Sequence, residues 1–291
     1  MARSAPTALP LSARSLILDL LSTLRRGSMP VRALVEAAGL LGLAEGSVRV
    51  ALSRLAADGR VERDERGCYR LGAPALAVAE HVASWRRLEA RMRPWSGAWV
   101  AVLATRPGAA SRAQQRRHAR ALRWLGFGAL ERGVAVRPDN LAGGIAGVRA
   151  ELCRLGLAPG AVVCLLEELD EVSEARARGL WDVRALVTGY RRQRLVLESA
   201  ARRLPGLPEP EAMVESFRLG GAALRALVLD PLLPEPIVAA AERTALVEAM
   251  RRYDALGRRS WSAFLTRHGV HHRATPADTR ALDPGARGGS R

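Results

Sequence analysis

The sequence predicts an α+β protein of several domains, and three observations carry that prediction. Apolar residues recur at helical spacing at both ends of the chain, short Val- and Leu-rich runs alternate with helical segments between them, and 291 residues exceed what one small core usually organises. The elements divide into an N-terminal module at residues 12–73, a linker helix at 74–94, a middle domain at 95–178, a helical C-terminal region at 179–268 and a disordered tail at 269–291.

Ser12 is placed to cap a first helix in which Leu16, Ile17, Leu20, Leu21 and Leu24 form one stripe before Gly27. Pro30 suits a first helical turn, and Val31, Leu34, Val35 and Ala38 make a second, shorter helix ending at Gly39. Past "GLLGLAEG", the residues Val48, Ala51, Leu52 and Leu55 form the inner face of a third helix that runs to about Asp58 and stops at Gly59. Gly46, Arg49, Val50, Ser53 and Arg54 must then face outwards, with Ser47 beside them. "VERD" and "CYRL" read as two short strands around a turn at Gly67. Three helices followed by a hairpin make a winged helix-turn-helix.

In the middle domain "GAWVAVLAT" is a buried-strand pattern, and "AQQRRHARALRWLG" is an amphipathic helix with Ala121, Leu122 and Leu125 inward. "GVAVRP" is a further strand, "LAGGIAGVRAELCRLGL" a helix and "AVVCLLEEL" a last strand, with a split strand at "FGALERG". The pattern is that of a ferredoxin-like α+β domain. A long helix begins near Trp181, Pro205, Pro208 and Pro210 break it, and two more helices flank "DPLLPEP". Their apolar faces lack enough partner chain, which predicts a homodimer.

Composition narrows the function. The chain holds 45 basic residues against 29 acidic ones, a formal charge of +16, and every basic side chain is Arg. A GC-rich coding sequence accounts for Arg in place of Lys but not for the excess of charge. That excess points to a polyanion, nucleic acid ahead of an acidic membrane. The run from Arg86 to Arg123 has ten arginines and one acid, Glu89, and its default meaning is a solvated face ahead of a second DNA contact.

Catalytic and metal chemistry find little support. Cys68, Cys153 and Cys164 are too far apart for a disulfide framework or a zinc site, and Cys153 and Cys164 sit on apolar patterns as buried, inert thiols. The first middle-domain strand, Trp99 to Ala104, carries no carboxylate, Asp139 and Glu167 do not pair, and His118 has no supporting acid or nucleophile. Trp95, Trp99 and Trp124 are core residues before they are ligand platforms, and His271 and His272 belong to the tail. We therefore expect neither an enzyme nor a cofactor nor a bound metal. "LILDLLSTL" is interrupted by Asp19 and reads as a helix instead of a signal peptide, and no stretch is long enough to span a membrane, so a cytoplasmic location is expected.

The opening module gives the arginines a use. A DNA major groove admits one helix, and its base edges and flanking phosphates suit forked donors and small hydroxyls. Arg49, Ser53 and Arg54 are the candidate base readers among the exposed positions Gly46, Ser47 and Val50, and Arg63, Arg66 and Arg70 on the wing are candidates for phosphate.

Three segments together resemble the PaaX family of transcriptional regulators: "GLAEGSVRVALSRLAADGRVERD", "RALRWLGFGALERGVAVRPDNL" and "LVLDPLLPEP". Their order and spacing match across roughly residues 12 to 265. The resemblance implies a repressor of a catabolic operon, typically for phenylacetic acid, released by phenylacetyl-coenzyme A or a related acyl-coenzyme A. The phosphates of such an effector need cations, and Arg116, Arg117, Arg120 and Arg123, with Trp124, are available for it. The chain departs from the family where "GGAALRALVL" and "AAAERTA" replace its usual His-containing and Trp-Pro-Gly runs, and at Val50, where Thr is usual. The rival readings are a sequence-tolerant architectural DNA binder without an effector and an enzyme acting on thioesters or nucleic acid.

Overall fold

The computed structural model describes residues 11–24, 27–103 and 111–270. In chain order the elements are α1 (Ala13–Thr23), β1 (Met29–Pro30), α2 (Val31–Leu40), α3 (Glu45–Ala57), β2 (Val61–Arg63), β3 (Cys68–Leu71) and α4 (Ala73–Ala83). After two short 3-10 turns follow β4 (Trp99–Leu103), α5 (Arg112–Trp124), β5 (Gly128–Glu131), β6 (Val134–Pro138), α6 (Gly144–Leu155) and β7 (Val162–Leu166). The chain ends in α7 (Glu171–Arg178), α8 (Val183–Arg203), α9 (Glu209–Val228) and α10 (Ala241–Arg267). It is a mixed α and β protein with two small sheets, ordered β1-β3-β2 and β5-β6-β4-β7, antiparallel at every pairing.

Two compact units result, neither continuous in sequence. The first takes the chain up to Ala79 with Ala201–Gly220 and the chain from Arg252; the second takes Glu80–Ala200 and Gly221–Arg251.

In the first unit α1 starts at a reciprocal cap. The Ser12 hydroxyl accepts from the Ser15 backbone N–H at 3.1 Å, and the Ser15 hydroxyl accepts from that of Ser12 at 3.2 Å. Leu16, Ile17, Leu20 and Leu21 turn inward from α1, Ala33, Leu34, Ala37 and Ala38 from α2, and Val48, Leu52 and Leu55 from α3. Gly59, at φ 64°, ends α3, and Gly72 packs so tightly on it that a Cβ there would lie 2.2 Å from the Gly59 carbonyl oxygen. At the tip of the β2–β3 hairpin, Asp64 Oδ1 accepts from the backbone N–H groups of Arg66 at 3.0 Å and Cys68 at 2.8 Å, while Gly67 takes φ 75°. Strand β1 is an addition to the sequence expectation: Met29 pairs Tyr69 and Pro30 pairs Cys68. Two residues are too few to show a period.

The parts of α9 and α10 that belong to this unit, up to Gly220 and from Arg252, find apolar partners inside it. Met213, Phe264 and Leu265 are buried in the same cluster as α1–α3, with Val214, Phe217 and Trp261 packed against it. In these parts the apolar residues have partner chain of their own, which the sequence pattern did not provide for. Val270 is also buried in this cluster, so the expected disordered tail does not begin at 269; its remainder, with His271 and His272, lies outside the described residues.

In the second unit β4 is central, with Trp99, Val100, Ala101 and Val102 buried. Ala104, expected to end that strand, lies outside the described residues. "FGALERG" forms a hairpin, β5 turning into β6 at Gly133 with φ 83°. Trp99 stacks on Trp181 at 6.3 Å, meets Trp95 edge-on at 5.2 Å and donates its indole N–H to Glu174 at 2.7 Å. One cysteine expectation is overturned: Cys153 is exposed and Cys164 half-buried. The inward positions of α6 are Val148, Leu152 and Leu155, and one residue past Leu152 the helix has rotated about 100° towards solvent.

Candidate nucleic-acid interface

Helix α3 buries Val48, Leu52 and Leu55, a stripe at i, i+4, i+7, and that choice decides what the other side shows. Gly46, Ser47, Arg49, Val50, Ser53 and Arg54 are all exposed, on a face with no obligation to the core. Val50 is 51% exposed, an apolar side chain suited to touching a thymine methyl. Arg63, Arg66 and Arg70 are exposed on or beside the β2–β3 hairpin.

Two of these cations have acidic neighbours. Arg49 Nη2 lies 2.6 Å from Glu45 Oε1, one helical turn earlier, and Arg70 Nη2 lies 2.9 Å from Glu62 Oε2 across the β2–β3 ladder. Arg14 at the start of α1 pairs with Asp58 at the end of α3, 3.0 Å apart. Sequence reasoning overlooked Glu45 and Glu62. The first was legible, because an acid four residues before an Arg on a helix is a recognisable pair. The second depends on the register Glu62↔Arg70, which only strand pairing supplies.

The five residues proposed for an effector lie together on α5. Arg116, Arg117 and Arg123 are exposed, while Arg120 and Trp124 are half-buried. The Arg120 guanidinium sits over the Trp124 ring at 5.3 Å, and that ring stacks on His81 at 5.4 Å with 7° between planes. Burial lowers the Arg120 pKa, and the like charges of Arg117 and Arg123 lower it further. His118 Nδ1 accepts from the Ala158 N–H at 3.3 Å, and burial pushes its pKa down, which favours the neutral ring. None of the five lines either of two cavities, one of about 500 Å³ walled by Leu40, Arg203, Val214, Glu215 and Arg218, the other of about 200 Å³ walled by Leu88, Met92, Arg243 and Val247.

The middle and C-terminal signature segments meet in a buried polar knot of the second unit. Arg137 donates to the carbonyls of Leu125 and Pro138 and to Asn140 Oδ1, and Asn140 Nδ2 donates to the Leu232 carbonyl at 2.7 Å. Asp230 Oδ1 accepts from the Leu232 N–H at 2.7 Å, and Arg243 donates to the Leu233 carbonyl at 3.1 Å. Gly126, at φ 71°, lies directly against the Pro231 backbone, where a Cβ would come within 2.4 Å of Pro231 Cα. Burial raises the Asp230 pKa, with Arg243 and the Leu232 N–H acting against it. Burial, and then Asp230 itself, push the Tyr190 phenol well above its usual range. Gly126, Arg137, Asn140 and Asp230 of these segments are thus tied together by close packing and hydrogen bonds.

Among the described residues, no three His, Cys, Asp or Glu side chains gather as metal ligands, and no helix is long and apolar enough to cross a membrane.

Comparison with known proteins finds a family match in the N-terminal part of the chain. Residues 12–75 match the family model described as PaaX-like protein, and the match supports a resemblance of this segment to that family. Among solved structures, the chain is similar to the uncharacterized protein Rv0674 from Mycobacterium tuberculosis, at 26% identity over 84% of this chain and 98% of that one, with a TM-score of 0.49. No curated protein matches.

Proposed function

We propose that the protein is a cytoplasmic, dimeric repressor that binds a pseudo-palindromic operator through its first unit and releases it on binding an effector. In this reading α1–α3 with the β2–β3 hairpin form a winged helix-turn-helix, and the β5-β6-β4-β7 sheet with α5 and α6 forms a ferredoxin-like domain. The observation that carries the reading is the exposed face of α3, where Arg49, Val50, Ser53 and Arg54 stand free of the core beside the hairpin cations Arg63, Arg66 and Arg70. A helix with that face enters a major groove, and the hairpin grips the adjacent phosphates. The work is binding, not catalysis. An acyl-coenzyme A such as phenylacetyl-coenzyme A is the proposed effector, and it acts by favouring the dimer geometry that DNA does not.

The test compares binding to duplex from upstream of the protein's own gene neighbourhood with binding to random duplex of equal length, at moderate salt, with and without phenylacetyl-coenzyme A. Preferential binding that the thioester releases is the expected outcome; uniform binding to every duplex would favour the architectural reading, for which the charge of +16 alone suffices. Arg49→Ala and Arg54→Ala should each cost about 1–3 kcal/mol on the operator and relax its selectivity. Equal losses on random duplex would reduce them to phosphate contacts.

A further inference from the structure

Helix α5 carries five arginines, Arg112, Arg116, Arg117, Arg120 and Arg123, and no acid. At about 100° per residue, Arg112, Arg116, Arg120 and Arg123 fall within about 80° of arc. That stripe lies roughly opposite the buried Ala121, and Arg112, Arg116 and Arg123 are exposed. Its length, at about 1.5 Å per residue, is about 16 Å.

The arrangement is unfavourable for the helix on its own. Arg112 sits in the first turn, where the helix end is already positive and no acid offsets it. Arg112 and Arg116, and Arg116 and Arg120, are like charges at i, i+4. Other helices neutralise such positions: Arg178 pairs with Glu174 at 2.7 Å, Arg194 with Glu198 at 3.2 Å and Arg258 with Asp254 at 3.0 Å, all one turn away. Among the described residues, none of the five α5 arginines has an ion-pair partner. Arg120 is held over Trp124 with its Nε lacking any hydrogen-bond partner, so the stripe is partly ordered.

We infer that the outer face of α5 is a second duplex-binding surface, which contacts the sugar-phosphate backbone without reading sequence. This rests on the reading of the protein as a DNA binder and extends it to the second unit. The face is a convex row of cations lining neither cavity described above, whereas a small ligand is normally enclosed by concave walls. A row of about 16 Å matches a polyanion of regular spacing, since one DNA strand places a phosphate about every 3.4 Å along the axis. Once the first unit holds a duplex, contacts made by the second become intramolecular, and weak ones suffice.

The experiment measures affinity against salt concentration, on operator and random duplex, for the full chain and for R112Q/R116Q/R123Q, all at exposed positions. Each lost phosphate contact lowers the slope of log K on log salt by about 0.9, so the triple variant should be shallower by about two to three on both duplexes. Operator preference should be unchanged. R112K/R116K/R123K, which keeps the charge, should keep the parent slope and shows that charge, not fold, is being read. An unchanged slope in the Gln variant overturns the inference, as does equal loss in the Lys variant. Retained slope with lost response to phenylacetyl-coenzyme A also overturns it, in favour of a small-ligand site. A parent without operator preference whose slope still drops in the Gln variant leaves the α5 contact standing and removes the repressor reading. No binding to any duplex at low salt removes both.

Discussion

The two units hold themselves together by different means. Of the seven buried polar or charged residues among the described residues, six (His81, Arg137, Asp139, Asn140, Asp230 and Arg243) fall in the second unit and Ser216 in the first. The first unit is a dry cluster of Leu, Ile, Val, Ala, Met and Phe, with no directional demand beyond shape. The second has its strap Asp230-Pro231-Leu232-Leu233-Pro234 fastened by side chains that reach for particular carbonyls. Apolar packing tolerates exchange of one aliphatic group for another of similar volume, whereas a buried guanidinium leaves its partners unsatisfied when it is removed. The two units should therefore fail differently.

The largest effect should come from Arg137→Ala, which strands the Leu125 carbonyl and Asn140 Oδ1 in a buried site. We expect a loss of about 3–5 kcal/mol in chemical denaturation, with hydrogen exchange accelerated most in β4 and β6. A loss below about 1 kcal/mol, within the range of ordinary surface changes, would mean that the knot is not what secures the strap. Leu52→Ala should cost about 2–5 kcal/mol, felt first in α1–α3, and Leu52→Met should recover most of it. If Met fares no better than Ala, the dry core is as exacting as the polar one and the contrast fails.

Gly126→Ala comes next. Its methyl meets the Pro231 backbone at a positive φ, and about 1–3 kcal/mol is expected from the displaced strap. A neutral result would show that the strap moves freely. The smallest effect is one of pH. Burial raises the Glu151 pKa, but hydrogen bonds from His81 and Arg154 outweigh it and bring the carboxyl down from about 4.5 to about 2. A depressed carboxylate stabilises the fold fully above its unfolded value and loses that contribution as pH falls through the folded one. The difference in melting temperature between the parent and Glu151→Gln should therefore be constant above about pH 5 and shrink progressively towards pH 2. A gap independent of pH would remove the ion pair from the account.

Much of the fold was legible because its signals are local. The Ser12 cap, the Val48–Leu52–Leu55 stripe and the glycines at 59 and 67 each act through neighbours within a turn, and the elements stand where those signals put them. The exposed face of α3 follows from the same stripe, so its arginines could be named before any contact was known. Cys153 misled because an apolar neighbourhood in sequence is not an apolar side of a helix. The candidate interface was legible in its cations and not in the acids that pair with them, since the Glu62–Arg70 pair requires a strand register.

By itself, the sequence determined the helices other than α7 and the early end of α4 at Ala83, the strands of the hairpin and the second sheet, the excess of positive charge and the residues that α3 presents to solvent. Each is set by chain-local periodicity, capping or composition. Only the tertiary structure decided that Met29–Pro30 would join the hairpin as β1 and that Met213, Phe264 and Leu265 of α9 and α10 would share a core with α1–α3. It likewise decided that Gly126, Arg137, Asn140 and Asp230 would close into one knot. These contacts join residues tens to hundreds of positions apart, where no local preference reaches and only mutual burial and hydrogen-bond satisfaction select the partner.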